Sequence, residues 1–258
     1  MKNFVDVTEL SGDNVTKEQV ERIVHRYQWA EKYCLGKDVL EVGCGTGQGL
    51  GHILKLSKSL EAGDYSEEIL SIPIKYYGKR VSLSQFDAQD MPYKSSSKDV
   101  IILFEAIYYI PDPDKFIAEC KRVLRSNGVV LIATANKELQ DFNPSPHSYK
   151  YYNNEELAKL LMKFGFQSSL YGYMEINKIK LSQKILSFIK KTTISLGLMP
   201  KTMAGKKLLK RLVFGRLVPM PFEISGDEFE YYPPVKLKED TTNNSYKVIY
   251  CAATLIEK

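Results

Sequence analysis

Features typical of membrane, secreted and metal-binding proteins are scarce in this sequence. No hydrophobic run reaches the roughly eighteen residues that a membrane-spanning helix needs, and residues 1–14 lack the apolar centre of a secretory signal. We therefore expect a cytoplasmic protein that does not span a membrane. The chain has four cysteines and three histidines, with neither a C-x-x-C pair nor a histidine at metal-ligand spacing. This scarcity predicts reduced, packed thiols and no bound metal.

Acidic residues are absent from one long segment. Between Ile176 and Met220 the chain has eleven lysines and arginines and no Asp or Glu. Subtracting these from the 36 basic residues leaves 25 against 31 acidic residues, a charge of about −6 for the rest of the chain. Apolar stripes at helical spacing, over 181–189 and 208–217, predict two amphipathic helices in this basic segment.

The rest of the chain alternates short apolar runs with helical patterns. The run Asp38–Val42 stops at a glycine-rich turn, Gly43-Cys44-Gly45-Thr46-Gly47, and a helical pattern follows it. Further strands are predicted at 60–64, 81–86, 100–104, 129–133, 166–173 and 245–253, and Thr16 begins a helix before the first strand. The pattern predicts an α/β fold: a doubly wound, seven-stranded, mostly parallel Rossmann-like sheet with helices on both faces. The last strand is expected at an edge or antiparallel.

Several polar residues fall at the carboxyl ends of the predicted strands, where such sheets bind ligands. Asp64 is placed to hold a ribose diol, and Asp87 with the backbone of Ala88 to hold an adenine. The glycine turn predicts unpaired N–H groups for a carboxylate, and Glu41 can reach an amine. The third glycine comes at Gly47, earlier than in the G-x-G-x-x-G turn of dinucleotide enzymes. Together these features narrow the cofactor to S-adenosylmethionine.

The same segments resemble a known family. Val39–Gly47, Gly63-Asp64-Tyr65-Ser66, Asp87–Pro92, Glu105–Asp112 and Arg122–Gly128 are similar to successive motifs of class I S-adenosylmethionine-dependent methyltransferases, in particular their type 11 branch. The resemblance spans roughly 36–135 and implies methyl transfer, with S-adenosylhomocysteine as the product. From the residues and the resemblance together, we expect cofactor contacts at Tyr27, Glu41, Gly43, Cys44, Gly45, Gly47, Asp64, Tyr65, Asp87, Ala88 and Phe104.

The pattern of charge and predicted elements also suggests how the chain is divided. We expect an N-terminal helical segment (1–35), an S-adenosylmethionine-binding Rossmann-like core (36–174), a basic helical insertion (175–240) and a closing strand (241–258).

The sequence departs from the family in places that bear on the acceptor. Tyr109 stands where many relatives carry histidine, and the N/D-P-P-Y/F motif of base-amine methylases is absent. Catalytic candidates are Glu105, His147 and Tyr149, the last two in the proline- and tyrosine-rich loop 143–152. That loop is typical either of a rim that binds a polyhydroxylated acceptor or of a connection whose tyrosines pack inward.

The favoured function is therefore methylation of a small molecule or glycan, with oxygen as the expected acceptor atom. The basic segment fits helices that cover the sheet, a lid over an anionic acceptor, or a patch that contacts an anionic membrane. Nucleic-acid binding is not expected, because no RNA-binding module accompanies the charge. A membrane-associated methyltransferase of a lipid-linked or quinone-type acceptor is the alternative. A non-catalytic binding module and an NAD-dependent oxidoreductase rank below it.

Overall fold

The computed structural model describes residues 4–5, 8–140, 142–176, 217–239 and 242–256. The described strands are β1 (Asn14–Thr16), β2 (Asp38–Val42), β3 (Ser59–Asp64), β4 (Ser82–Gln85), β5 (Lys98–Phe104), β6 (Leu124–Ala135), β7 (Phe166–Glu175), β8 (Leu217–Pro219), β9 (Val235–Leu237) and β10 (Tyr246–Leu255). The described helices are α1 (Lys17–Cys34), α2 (Leu50–Leu56), α3 (Glu67–Tyr77), α4 (Pro113–Val123) and α5 (Asn154–Met162), with a 3₁₀ turn at Ile107–Tyr109.

A mixed sheet of eight strands forms the centre, in the order β4-β3-β2-β5-β6-β10-β7-β9. The first five strands in this order are parallel, as the alternation of strands and helices predicts. All seven predicted strands occur in it, and the predicted Rossmann-like fold class is confirmed. The structure adds an eighth strand, β9, at the edge beside β7. Strand β10 is antiparallel but lies between β6 and β7, so it is not an edge strand.

Helix starts follow local side-chain chemistry. Thr16 accepts from the backbone N–H of Gln19, whose side chain bonds back to the N–H of Thr16, so the predicted capping box is present. Ser66 caps α3, and Asp112 caps α4 directly before Pro113. These caps fix the residue at which each of the three helices begins.

The sheet buries both of its faces. Neighbouring residues of β2 point to opposite sides: Val39 packs in a core with Trp29 of α1, and Leu40 in a second core with Phe116 of α4. All four side chains are at most 1% exposed. Each such side chain contributes about 1.5–3 kcal/mol on burial. Helix layers on the two faces therefore hold the strand ends, and the polar residues beside them, in fixed positions.

The predicted domain boundaries stay a prediction. The two amphipathic helices predicted in the basic segment fall largely on residues 177–216, which lie outside the described ranges. Residues 217–239, from the same predicted insertion, pack on the core: Met220 and Ile224 are buried, and Glu223 pairs with Arg80. Strand β8 pairs with β1 in a separate two-stranded ribbon. Among the helices of the described ranges, none combines the length and apolar character required to cross a bilayer.

Candidate cofactor-binding and active site

A cavity of about 640 Å³ opens at the carboxyl ends of β2, β3 and β5. Its volume lies in the range of small-molecule sites. Of the predicted site residues, those that line it are Tyr27, Glu41, Gly43, Cys44, Gly45, Asp64, Tyr65, Asp87, Ala88, Phe104, Glu105 and Tyr149. Residues from α1, four strand ends and a distant loop therefore meet in one site.

The glycine turn shapes the cavity floor through its backbone. Gly43 and Gly45 have φ angles of +66° and +56°, a left-handed region that disfavours side chains. We expected the N–H groups of this turn to be unpaired, but three of them have partners. Cys44 donates to the carbonyl of Gly63, Gly45 to the carboxylate of Asp64, and Gly47 to the carbonyl of Cys44. These hydrogen bonds therefore join the turn to β3 and stabilise the turn itself.

Gly47 lies outside the cavity wall, although the sequence places it among the cofactor contacts. Its φ is +79°, and a Cβ there would lie 2.9 Å from both Leu50 Cδ1 and Pro73 Cβ. The absent side chain therefore allows the turn to pack against α2 and α3. A glycine required for packing cannot be told from one required by a ligand by spacing alone.

Asp64 is held at the end of β3 with both carboxylate oxygens oriented. One oxygen accepts from the N–H of Gly45 and the other from the N–H of Ser66, each at 2.9 Å. Burial raises the pKa of the carboxyl group, and these N–H groups oppose that rise. Each oxygen keeps a further lone pair, so the carboxylate can still accept both hydroxyls of a ribose.

Glu41 has a buried carboxyl group, and one of its two oxygens lacks a hydrogen-bond partner in the part of the chain that the structure describes. The hydroxyl of Tyr27 donates to Oε1 at 2.5 Å, whereas Oε2 is buried and has no partner among the described residues. Burial raises the pKa of this carboxyl group from 4.5 to about 7. An unpaired oxygen of this kind suits a cationic amine, because the amine would restore the lost solvation.

Arg26 is a cavity residue that the sequence reasoning did not select. Its guanidinium carbon lies 5.8 Å from the ring centre of Tyr27 and 5.9 Å from that of Phe104. Its Nε is buried and finds no hydrogen-bond partner within the described ranges. Because arginine stays protonated, this position suits an anion. The signal was available, since Arg26 lies one residue before Tyr27 on α1.

The groups at Glu41 and Arg26 can be compared with those of S-adenosylmethionine. The amino-acid end of that molecule carries an ammonium and a carboxylate, and the cavity offers one unpaired buried carboxylate oxygen and one unpaired buried guanidinium N–H. Asp64 and Asp87 supply acceptors further along the same cavity for the ribose and adenine. The residues present therefore fit the cofactor along its length.

The remaining side of the cavity, which we call the acceptor side, contains side chains with hydroxyl or carboxylate oxygens: Glu105, Tyr109, Ser145 and Tyr149. Glu105 has a left-handed φ of +52° directly after β5, and the hydroxyl of Tyr108 donates to its carboxylate at 3.2 Å. Tyr109 and Ser145 share a hydrogen bond of 2.5 Å between their hydroxyls. A non-glycine residue in this backbone region is held there by its surroundings, as often occurs at functional sites.

The tyrosines of the loop 143–152 differ in their surroundings. Tyr149 lines the cavity and is 52% exposed. Tyr151 stacks on Tyr108 with ring centres 4.2 Å apart, and Tyr152 is buried. His147 is not among the residues that line the cavity; its ring lies 6.3 Å from that of Phe4. Its catalytic role therefore has no support from the cavity, while Tyr149 stays a candidate.

Comparison with known proteins points to the same cofactor. A family profile described as "Methyltransferase domain" matches residues 40–132. A probable S-adenosylmethionine-dependent methyltransferase of Mycobacterium tuberculosis is 33% identical over 144 residues, covering 54% of this chain and 52% of the relative. A fatty-acid O-methyltransferase of Mycolicibacterium smegmatis is 33% identical over 106 residues (39% and 38%). A ubiquinone biosynthesis O-methyltransferase of Thiobacillus denitrificans is 25% identical over 175 residues (60% and 75%).

Solved structures share the fold at low identity. Phosphoethanolamine N-methyltransferase 2 of Haemonchus contortus, in complex with phosphomonomethylethanolamine and S-adenosylhomocysteine, aligns with a TM-score of 0.56 at 17% identity over 93% of this chain and 53% of that one. The [4+2]-cyclase SpnF aligns with a TM-score of 0.58 at 15% identity over 97% and 88%. The predicted resemblance to class I S-adenosylmethionine-dependent methyltransferases of the type 11 branch is confirmed over residues 40–132. The chain spans about half the length of the Mycobacterium tuberculosis relative.

Proposed function

We propose that this chain transfers the methyl group of S-adenosylmethionine to an oxygen atom of a small-molecule or glycan acceptor. The observation that carries the proposal is that Glu41 and Arg26, buried groups of opposite sign, each have one polar atom without a hydrogen-bond partner among the described residues, in a cavity that also holds Asp64. A chain that no longer bound the cofactor would have no reason to keep these two buried atoms unsatisfied.

The acceptor side supports oxygen as the acceptor atom. Glu105, Tyr109, Ser145 and Tyr149 all line it with hydroxyl or carboxylate oxygens. A hydroxyl acceptor needs such groups to orient it and to take its proton. Two relatives, named for ubiquinone biosynthesis and for fatty acids, are both O-methyltransferases.

The residues divide the work of the reaction. When bound, the cofactor supplies a methyl group on a positively charged sulfur. Glu41, Arg26 and Asp64 orient its two ends, and placing an acceptor oxygen in line with that methyl group provides much of the rate. Glu105 is the group placed to receive the acceptor's proton, because it is the carboxylate that lines the acceptor side beside Tyr108.

Calorimetry with S-adenosylhomocysteine tests the cofactor half of the proposal. We expect binding in the micromolar range, lost or strongly weakened in Arg26→Ala and unchanged in Lys37→Ala, a control outside the cavity. Methyl transfer is then measured with tritiated cofactor against a panel of phenols, sugars and nucleotide sugars. A protein that releases no heat with S-adenosylhomocysteine would refute the proposal.

A second candidate is methylation of a lipid-linked or quinone-type acceptor at a membrane surface. The eleven basic residues between Ile176 and Met220, without one acidic residue, favour it. We expect co-sedimentation with vesicles of anionic lipid at low salt, and its loss with neutral vesicles. Protein that stays in the supernatant with both would exclude this candidate and leave the first one intact.

The fold alone would not separate catalysis from other functions. One structural neighbour is described as a [4+2]-cyclase, so similar folds accompany other reactions. A binding module that retains the fold is a third possibility. Turnover of tritiated cofactor with any acceptor of the panel would exclude it.

A further inference from the structure

The hydrogen bonds of His25 fix the position of its proton. Nε2 lies 2.7 Å from the backbone carbonyl oxygen of Tyr232, and a carbonyl oxygen can only accept. Nε2 therefore carries the proton. Burial lowers the pKa of His25 to about 4, so the ring is neutral near pH 7 and Nδ1 has a lone pair. Nδ1 lies 3.0 Å from the hydroxyl of Tyr250 and must accept from it.

Tyr250 consequently has no proton to offer to a ligand. Its single hydroxyl proton is used in the bond to His25, which leaves only lone pairs on the oxygen. Tyr250 lines the cavity and is 1% exposed. Its ring stacks on Trp29 with centres 4.9 Å apart, and His25 stacks on Tyr173 at 3.5 Å. The packing holds the hydroxyl in one orientation.

Tyr250 therefore presents only lone pairs to a ligand of the cavity, as the carboxylate of Glu105 on the acceptor side does. We infer that Tyr250 is a specificity-determining residue: it accepts a hydrogen bond from a hydroxyl group of the acceptor molecule, and it disfavours a carboxylate in that place. The inference rests on the proposed function and narrows its acceptor to alcohols or phenols. A carboxylate would bring lone pairs against those of Tyr250 and a negative charge against Glu105. The two arginines of the cavity would not offset this, because Arg26 binds the cofactor carboxylate in the proposed function and Arg22 pairs with Glu9.

The position of the histidine proton can be measured without knowing the acceptor. Long-range proton–nitrogen spectra of nitrogen-15-labelled protein distinguish the two neutral forms of a histidine ring. We expect His25 to carry its proton on Nε2 near pH 7, assigned by the loss of its signals in His25→Asn. A proton on Nδ1 would overturn the inference, because the hydroxyl of Tyr250 would then be free to donate into the cavity.

The preference itself is tested with phenol and benzoate as probes on protein saturated with S-adenosylhomocysteine. We expect phenol to bind at least tenfold more tightly than benzoate, and Tyr250→Phe to weaken phenol about fivefold or more, as loss of one hydrogen bond predicts. The control Tyr173→Phe removes a hydroxyl that does not line the cavity and should leave both affinities unchanged.

Equal binding of the two probes, absence of phenol binding, or an unchanged phenol affinity in Tyr250→Phe would overturn the inference. Binding of S-adenosylhomocysteine is measured first in every variant. If the wild-type protein does not bind it, the proposed function fails; if it binds and the probes behave otherwise, only the assignment of Tyr250 fails.

Discussion

Replacing Glu41 with glutamine is expected to stabilise the folded protein at about pH 8 while weakening cofactor binding. Glu41 is 2% exposed, and burial raises its pKa from 4.5 to about 7. A group whose pKa is raised on folding contributes its full stability below the unfolded pKa and loses it as the pH rises through the folded value. The difference of the two pKa values, at about 1.4 kcal/mol per pH unit, gives a loss of about 3 kcal/mol between pH 4.5 and 8.

Glutamine keeps the acceptor oxygen for Tyr27 and has nothing to ionise. The wild-type protein and Glu41→Gln should therefore have similar free energies of unfolding near pH 4.5 and diverge above it, the variant becoming more stable by up to about 3 kcal/mol. Urea denaturation across this range measures both curves. Taking the difference between them removes the titration of every other group.

Curves that stay parallel from pH 4.5 to 8 would refute the reasoning, because the burial cost of the carboxylate would then be absent. The second half of the prediction is measured by calorimetry at about pH 8. There the variant should bind S-adenosylhomocysteine at least tenfold more weakly, since its neutral amide cannot pair with the ammonium group. More stability with equal affinity would show that Glu41 has a burial cost but no role in binding.

Three further predictions concern other residues. Asp64→Ala should weaken S-adenosylhomocysteine about a hundredfold in calorimetry, through loss of two charge-assisted hydrogen bonds, with Asp64→Asn intermediate; equal binding by all three proteins would contradict the assigned role. As the pH falls from 6.5 to about 4, the free energy of unfolding of the wild-type protein should decrease by about 3 kcal/mol more than that of His25→Asn, because the buried ring resists the protonation that the unfolded chain allows. Urea denaturation measures both free energies, and an identical pH dependence of the two proteins would contradict the prediction. Gly47→Ala should lower the melting temperature by several degrees through strain and contact with α2 and α3, yet change cofactor affinity less than Asp64→Ala does; the reverse order of effects would make Gly47 a ligand residue.

The parallel half of the fold was predictable because its signals are local. A capping box at Thr16, the apolar run Asp38–Val42 and the order Asp112-Pro113 each specify an element within a few residues. The position of β10 was not predictable to the same degree. Its alternating pattern shows a strand, but its insertion between β6 and β7 depends on contacts with residues more than seventy positions away.

The cofactor side of the site was likewise easier to predict than the acceptor side. Glu41, Asp64 and Asp87 lie at or just beyond the carboxyl ends of strands, so a periodic pattern places them together. Arg26 and Tyr250 were missed, because one looks like a surface arginine on a helix and the other like a sheet core residue. Their roles depend on contacts that only the folded chain shows: Arg26 has a buried Nε without a hydrogen-bond partner in the described ranges, and Tyr250 is hydrogen-bonded to His25.

The place of β10 in the sheet has a consequence for synthesis of the protein. Because β10 separates β6 from β7, a nascent chain that has not yet reached residue 246 presents two long strand edges with no partner between them. Exposed edges of this kind pair readily with other chains. The ribosome must therefore add about seventy residues after β7 before this gap can close, and until then both strand edges are open to pairing with other chains.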